Sequence, residues 1–211
     1  FPEDRILKVG FNHGIYQFKK WTAPRNYMAF DVFFVSSVHH RQLAESKGIT
    51  NTIPVGAPKL DPAFDGSFNA NYKNKLFNEL ELDKNKPVVL FSATWEVSGL
   101  SAIDRWIYRL GELVEKYNVI ATVHPWISNA KKDTIKKTTG VRFYDEPDVL
   151  PVLHLSDILV SDTSSIIGEF LAFNKPIVTF KVEGGKRTND EIMELMSKVS
   201  VQVNEYEELE N

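Results

Sequence analysis

A chain of 211 residues with 43% hydrophobic and 25% charged residues has an ordinary globular composition, with room for one domain or two small lobes. Its formal net charge of −3 gives no reason to expect a nucleic-acid partner, and the lack of cysteine excludes disulfides, thiol catalysis and cysteine-bound metals. No apolar run approaches the roughly 20 residues of a transmembrane helix, and no signal peptide is visible.

Short apolar segments rich in β-branched and aromatic residues recur along the chain and predict nine strands. Several are apolar throughout, which is the pattern expected when helices cover both faces of a parallel sheet. The predicted strands are 6–11, 32–35, 52–55, 87–91, 119–123, 141–144, 158–160, 176–180 and 200–203.

Helical patterns lie between these segments. The clearest covers residues 101–117, where Ser101 can cap the first turn and apolar residues recur every three or four positions. Thr188-Asn189-Asp190-Glu191 is a capping-box pattern that opens another helix. The residues expected to face inward are Ile103, Trp106, Ile107, Leu110, Leu113 and Val114 in the first helix, and Ile192, Leu195, Met196 and Val199 in the second.

Strands that alternate with helices predict an α/β fold with parallel sheets. We expect residues 1–60 to be the tail of one α/β lobe, residues 61–86 a connector with one amphipathic helix, and residues 87–211 a nearly complete second lobe of about six strands. The chain starts at Phe1 rather than at methionine and ends in a charged stretch. We therefore expect it to be a piece of a longer protein.

Five small polar residues follow the predicted strand 158–160 and precede an apolar helix: Ser161-Asp162-Thr163-Ser164-Ser165. In open α/β sheets ligands bind at the carboxyl ends of the strands, where a helix N-terminus presents unpaired N–H groups to an anion. The hydroxyls of Ser164 and Ser165 add donors suited to the diphosphate of an activated nucleotide, and Glu169 is placed to accept hydrogen bonds from a ribose. A plain helix cap remains the alternative, because Asp162, Thr163 and Ser164 are all ordinary N-cap residues.

Polar residues follow three other predicted strands. His124-Pro125 ends the strand 119–123, where a histidine can donate to a phosphoryl oxygen or simply lie in a capped loop. Thr94-Trp95 follows the strand 87–91, and a tryptophan there is compatible with a core position as well as with a ligand contact. His13-Gly14 follows the first strand, where glycine leaves the histidine exposed as a general base requires.

These motifs together resemble the C-terminal half of the CDP-glycerol glycerophosphotransferase family, the teichoic acid primases and polymerases. The segment "LSDILVSDTSSIIGEFLAFNKPIVTF" is similar to the family's strand, Ser-Ser and helix signature, and "VGAPKLD" is similar to its Gly-x-Pro-Arg-x-Asp segment. His-Gly, Thr-Trp and His-Pro occur in the family's order. The chain departs from the family pattern at Ile15, at Lys59, at Glu96 in place of arginine, and at Thr163 in place of tyrosine.

The resemblance implies a GT-B fold, in which two Rossmann-like lobes face a cleft, and a metal-independent transfer without a cofactor. It implies a CDP-activated donor, a polymer or lipid-linked acceptor, an N-terminal lobe of the same protein, and a place at the cytoplasmic face of the membrane. His13 takes the acceptor's proton, while His124 and the two serines hold the diphosphate. The implied site residues are His13 and His124 as catalytic groups, and Gly14, Lys59, Thr94, Trp95, Asp162, Thr163, Ser164, Ser165 and Glu169 as substrate contacts.

Two other functions fit the same sequence. One is a GT-B glycosyltransferase or a UDP-sugar 2-epimerase-like enzyme that uses a nucleotide sugar. The other is a module that binds a nucleotide and catalyses nothing. The expected function is the transfer of a polyol phosphate in cell-wall or capsule synthesis.

Overall fold

The computed structural model describes residues 6–12, 14–16, 22–96, 99, 101–182 and 190–210. The chain divides into two compact units, Phe1–Asp61 and Pro62–Asn211. Each contains one parallel β-sheet with helices between its strands, which confirms the α/β fold predicted from the sequence.

The first unit contains a three-stranded parallel sheet in the order β1-β2-β3. Its strands are β1 (Val9–Phe11), β2 (Val32–Val35) and β3 (Thr52–Pro54), and its helices are α1 (Pro24–Tyr27) and α2 (Val38–Ser46). Phe33 is buried at its centre and meets Tyr27 and Phe30 edge-on at ring distances of 4.9 and 5.5 Å. A Cβ at Gly10 would lie 2.5 Å from the Phe33 ring, so this strand can approach Phe33 only as glycine.

The second unit contains a six-stranded parallel sheet in the order β6-β5-β4-β7-β8-β9. Its strands are β4 (Val88–Ala93), β5 (Asn118–Val123), β6 (Val141–Phe143), β7 (Ile158–Ser161), β8 (Ile177–Phe180) and β9 (Val201–Val203). Every residue of β4 and β5 is buried. Since helices shield both faces of such strands, their largely apolar sequences are explained.

Short helices connect these strands, and several continue as 3₁₀ turns. The α-helices of the second unit are α3 (Ala70–Glu79), α4 (Ile103–Trp106), α5 (Asn129–Lys137), α6 (Leu150–Leu155), α7 (Ile166–Phe170) and α8 (Asp190–Val199). Among the described residues, 3₁₀ helices are Pro58–Ala63, Leu110–Glu112, Leu171–Phe173 and Tyr206–Glu210. Within the described ranges, none of the helices has the length and apolar character to cross a bilayer.

The prediction of one continuous helix over residues 101–117 is wrong: the structure has the short helix α4 and then a 3₁₀ helix at Leu110–Glu112. After α4 the backbone N–H groups donate to the carbonyl three residues earlier, as in a 3₁₀ helix. The Arg109 N–H, for example, donates to the Trp106 carbonyl at 2.9 Å. Gly111 lies in this stretch and lowers its helix propensity. The apolar stripe still faces inward, because spacings of three and four residues point to one side in either helix type; Ile103, Trp106, Ile107, Leu110 and Leu113 are all buried.

All nine predicted strands are present, with ends that shift by up to three residues. The largest shift is at the first strand, which begins at Val9 rather than at residue 6. In α8, Ile192 and Met196 are buried as expected, whereas Leu195 is 38% exposed and its prediction as a core residue is wrong. The capping-box residues Thr188 and Asn189 lie outside the described residues.

Candidate functional site

The order in which strands are added to the second sheet reverses at β4, the first strand of this unit. The chain adds β5 and β6 on one side of β4 and then returns to place β7 on the other. A crevice for ligands forms at the carboxyl ends of the strands at such a switch point. Thr94, His124 and Asp162 each follow directly on β4, β5 or β7, so three of the predicted site residues meet at this edge.

Asp162 joins the loops that follow β4 and β7. Its side chain is 1% exposed, and its carboxylate accepts hydrogen bonds from the backbone N–H groups of Thr94 and Ala102, both at 3.1 Å, and of Thr163 at 2.6 Å. Burial raises the pKa of Asp162 to about 6, although the N–H donors act in the opposite direction. Because both oxygens are engaged by the main chain, Asp162 acts on the crevice by holding its two loops together.

The serine pair after Asp162 lies at the start of α7. Ser165 makes no side-chain cap bond there, and Ser164 Oγ accepts only a long bond of 3.4 Å from the Ile166 N–H. Both serines are half-buried, whereas Thr163 and Glu169 are buried at 6% and 4% exposure. The Ser165 hydroxyl therefore does not cap α7, which was the alternative role for this polar segment.

His124 is held in one tautomer by its own loop. The backbone N–H of Trp126 donates to His124 Nδ1 at 3.2 Å, so the neutral ring carries its proton on Nε2. The Ile127 N–H closes the turn on the His124 carbonyl at 2.9 Å. In this tautomer the N–H of the imidazole lies on Nε2, and an N–H of this kind can donate to an oxygen of a phosphate.

Aromatic rings surround His124. Trp95 stacks against it with a centroid distance of 6.4 Å, and Trp126 meets both rings edge-on, at 4.9 Å from Trp95 and 5.3 Å from His124. Trp126 was not among the residues selected from the sequence, although its position directly after the His-Pro motif was a usable signal.

Glu96, Lys131 and Asp104 form a charged cluster next to Trp95 and to the loop that carries Trp126. The Glu96 carboxylate accepts bonds from the Ser128 N–H at 2.9 Å and from Lys131 Nζ at 2.7 Å, and Lys131 also pairs with Asp104 at 2.8 Å. The Lys131 ammonium and the Ser128 N–H lower the pKa of the Glu96 carboxyl. Glu96 is therefore committed to binding the start of α5, where a negative charge is favourable.

A cavity of about 210 Å³ lies beside Asp162 and Thr163. Thr179, Lys181 and Gln202, from β8, its end and β9, line it together with methionines of α8. Among the residues that the structure describes, no three histidine or acidic side chains lie close enough together to hold a metal ion.

The remaining predicted residues belong to the first unit. His13 lies outside the described residues. Gly14 lies in a bend after β1 and is half-buried, and Lys59 is exposed in the 3₁₀ helix Pro58–Ala63. Gly56 lies two residues before this 3₁₀ helix and has a φ of +81°, which explains why the Gly-x-Pro pattern needs glycine there.

Comparison with protein families gives a match over nearly the whole chain. The family described as CDP-Glycerol:Poly(glycerophosphate) glycerophosphotransferase matches residues 8–208. The match therefore includes both units and every strand.

Individual relatives include teichoic acid enzymes. The teichoic acid ribitol-phosphate polymerase TarL of Staphylococcus aureus is 30% identical over 171 residues, which are 70% of this chain and 30% of that protein. The teichoic acid glycerol-phosphate primase of Bacillus subtilis is 26% identical over 165 residues, 73% of this chain and 40% of the relative. The chain thus spans less than half the length of these relatives.

Solved structures share the fold at lower identity. The wall teichoic acid polymerase TagF superposes with a TM-score of 0.59 at 17% identity, over 82% of this chain and 48% of that one. The UDP-GlcNAc 2-epimerase of Neisseria meningitidis gives a TM-score of 0.54 at 15% identity, over 85% and 50%.

Proposed function

The chain belongs to the CDP-glycerol:poly(glycerophosphate) glycerophosphotransferase family, and we propose on this premise that the full-length protein is a transferase of cell-wall polymer synthesis. It moves a polyol phosphate from a CDP-activated donor to a hydroxyl of a polymer or lipid-linked acceptor. The observation that supports this most strongly is the family match over residues 8–208, which contains every loop of the crevice at β4.

The diphosphate of the donor binds at the carboxyl ends of β5, β4 and β7. Neighbouring strands are about 4.8 Å apart, so the ends of β5 and β7 lie roughly 10 Å from each other across β4. His124 Nε2–H donates from one side, and the hydroxyls of Ser164 and Ser165 donate from the other. Glu169, buried on α7, is the proposed ribose contact. Hydroxyl and imidazole N–H groups stabilise an anion by donating hydrogen bonds to it.

The reaction is a displacement at phosphorus. The acceptor oxygen forms a bond to the phosphorus of the polyol phosphate, and the bond from that phosphorus to the phosphate oxygen of CMP breaks. The acceptor's proton goes to His13, the base implied by the His-Gly motif. Negative charge grows on the leaving CMP, where the hydrogen-bond donors of the crevice are placed to receive it.

Two kinds of polyol are suggested by the relatives. TarL is a ribitol-phosphate polymerase, the Bacillus subtilis relative is a glycerol-phosphate primase, and a TagF variant has been soaked with CDPG. We therefore place glycerol and ribitol phosphate in the same proposed substrate class. We also propose that the protein works as a peripheral enzyme at the cytoplasmic face of the membrane.

The test is an assay of the full-length protein with CDP-glycerol or CDP-ribitol and a lipid-linked acceptor. We expect release of CMP that depends on the acceptor, and we expect His13→Ala to abolish it while donor binding stays near the wild-type level. His39→Ala, an exposed histidine of α2, is the matched control and keeps full activity.

The nucleotide-sugar alternative is decided by the same assay. Its structural support is the epimerase likeness at 15% identity, which shows the fold alone. Release of UDP from a UDP-sugar, without CMP release from either CDP-polyol, would replace the proposed function. Nucleotide binding without turnover of any of these donors would leave only a binding module.

A further inference from the structure

Trp126 is a large aromatic side chain that is 66% exposed at the carboxyl end of β5. Single exposed apolar side chains are common on proteins, so exposure alone carries no conclusion. This side chain differs because its loop is fixed from several directions. Ile127 is buried at 3% exposure, the Ile127 N–H bonds to the His124 carbonyl, and Lys132 Nζ donates to the Pro125 carbonyl at 2.9 Å.

The ring of Trp126 is also held in orientation. Its plane makes angles of 77° with Trp95 and 71° with His124, at centroid distances of 4.9 and 5.3 Å. Edge-to-face pairs of this kind are favourable aromatic contacts. The loop therefore displays an aromatic surface to solvent next to His124, whose Nδ1 is occupied by the Trp126 N–H.

We propose that Trp126 is the platform on which the nucleobase of the activated donor stacks. This inference rests on the proposed function, because it takes a nucleoside diphosphate at His124 as given. A ribose separates the base from the phosphates, so a ring centred 5.3 Å from the imidazole is within reach of a base whose phosphates contact that imidazole. Because the loop is already ordered, little conformational entropy is lost when the base binds.

Stacking affects binding rather than chemistry. The base keeps the same contact in the ground state and in the transition state, so its loss raises KM and leaves kcat nearly unchanged. Stacking one base on an aromatic side chain is worth roughly 10- to 100-fold in affinity. Since every base has an aromatic face, Trp126 strengthens binding of any nucleoside diphosphate and does not by itself select cytosine.

The experiment compares two ligands on the full-length protein, CDP and inorganic pyrophosphate, by calorimetry. For Trp126→Ala we expect CDP to bind about 10- to 100-fold more weakly and pyrophosphate to bind as in the wild type. Trp126→Phe keeps an aromatic face and loses less. Tyr108→Ala, at a position that is 72% exposed, is the matched control and changes neither affinity.

Three results would overturn the inference, and they separate it from the proposed function. Unchanged CDP affinity in Trp126→Ala, while CMP is still released from the CDP-polyol, removes the stacking role and leaves the proposed function standing. Equal losses for CDP and pyrophosphate show that Trp126 merely positions His124. Failure of the wild-type protein to bind either ligand removes the proposed donor site and the inference together.

Discussion

The two sides of the crevice at β4 are built in opposite ways. On the β5 side, the loop 124–128 holds its backbone by local bonds and displays His124 and the exposed ring of Trp126. On the β7 side, the loop 162–165 buries its charged group, Asp162, and uses it to bind the loop after β4. The β5 loop displays side chains that a ligand can contact, whereas the β7 loop uses Asp162 to hold the backbone of the neighbouring loop in place. A charged residue in a polar motif is therefore not automatically a ligand contact.

His124→Ala removes a side chain that the β5 loop displays to the crevice, and it should have the largest effect among changes on the two sides of the crevice. Losing one donor to a developing phosphoryl charge typically lowers kcat about 100- to 1,000-fold. Steady-state CMP release by the full-length protein measures this, with His39→Ala as the control. A loss smaller than about tenfold would show that the β5 side does not touch the reacting phosphate.

Because the pKa of Asp162 is raised in the folded chain, the free energy of unfolding should fall as the pH rises. The carboxyl has a pKa of about 6 in the folded chain against 3.8 ordinarily, about 2 units, so its protonated form favours folding by about 3 kcal/mol. That contribution is complete below about pH 3.8 and is lost as the pH rises through about 6. Denaturant midpoints measured from pH 4 to 7 should therefore fall.

Asp162→Asn is the matched variant for this pH dependence. It should remove most of the pH slope, because its side chain does not titrate. It should also be less stable than the wild type at pH 4, because its amide hydrogens face backbone donors. An identical slope in both proteins would show that Asp162 is not the group that titrates.

Ser165→Ala tests whether the β7 side also presents a group. Loss of one neutral hydrogen bond to the diphosphate should weaken CDP binding about tenfold or less, with stability nearly unchanged because Ser165 makes no cap bond. Calorimetry measures this, and Ser46→Ala in α2 serves as the control. If stability fell while affinity held, the serines would be a helix cap, and the β7 side would be purely structural.

Lys131→Met should have the smallest effect. It removes the ion pair with Glu96 but leaves the Glu96 bond to the Ser128 N–H and the apolar stem of the side chain. Partly exposed pairs contribute about 1 kcal/mol or less, so CDP affinity should change by less than about fivefold. A much larger loss would mean that the charged cluster, rather than the local turn, holds the β5 loop in place.

Sequence patterns predicted the fold well because its strands carry their own signal. The buried strands β4 and β5 are mostly apolar on both of their faces, and the family motifs fall on the loops that follow them. The match over residues 8–208 confirms the resemblance that those motifs indicated. The break in the helix predicted at 101–117 was not foreseen, because a 3₁₀ turn and an α-helix share the same apolar spacing.

The site was harder to predict because its chemistry depends on long-range contacts. Asp162 reads as a cap or a ligand contact within its own segment, and only the fold shows it bonded to Thr94 and Ala102, 68 and 60 residues away. Glu96 was recognised as a departure from the family, but its pairing with Lys131 has no local signature. Trp126 was passed over since an exposed tryptophan and a core tryptophan look alike in sequence.

The strand order has a consequence for how the crevice comes into being during folding. β4 finds β5 through a local crossover, but it meets β7 only after the intervening chain has looped back, when Asp157 accepts a bond from Val88, 69 residues earlier. Such distant pairings form slowly because a long loop must close first. A nascent chain that ends before β7 leaves one side of β4 as an unpaired apolar edge, prone to intermolecular association. Assembly of the donor crevice and protection of this edge are therefore the same folding event.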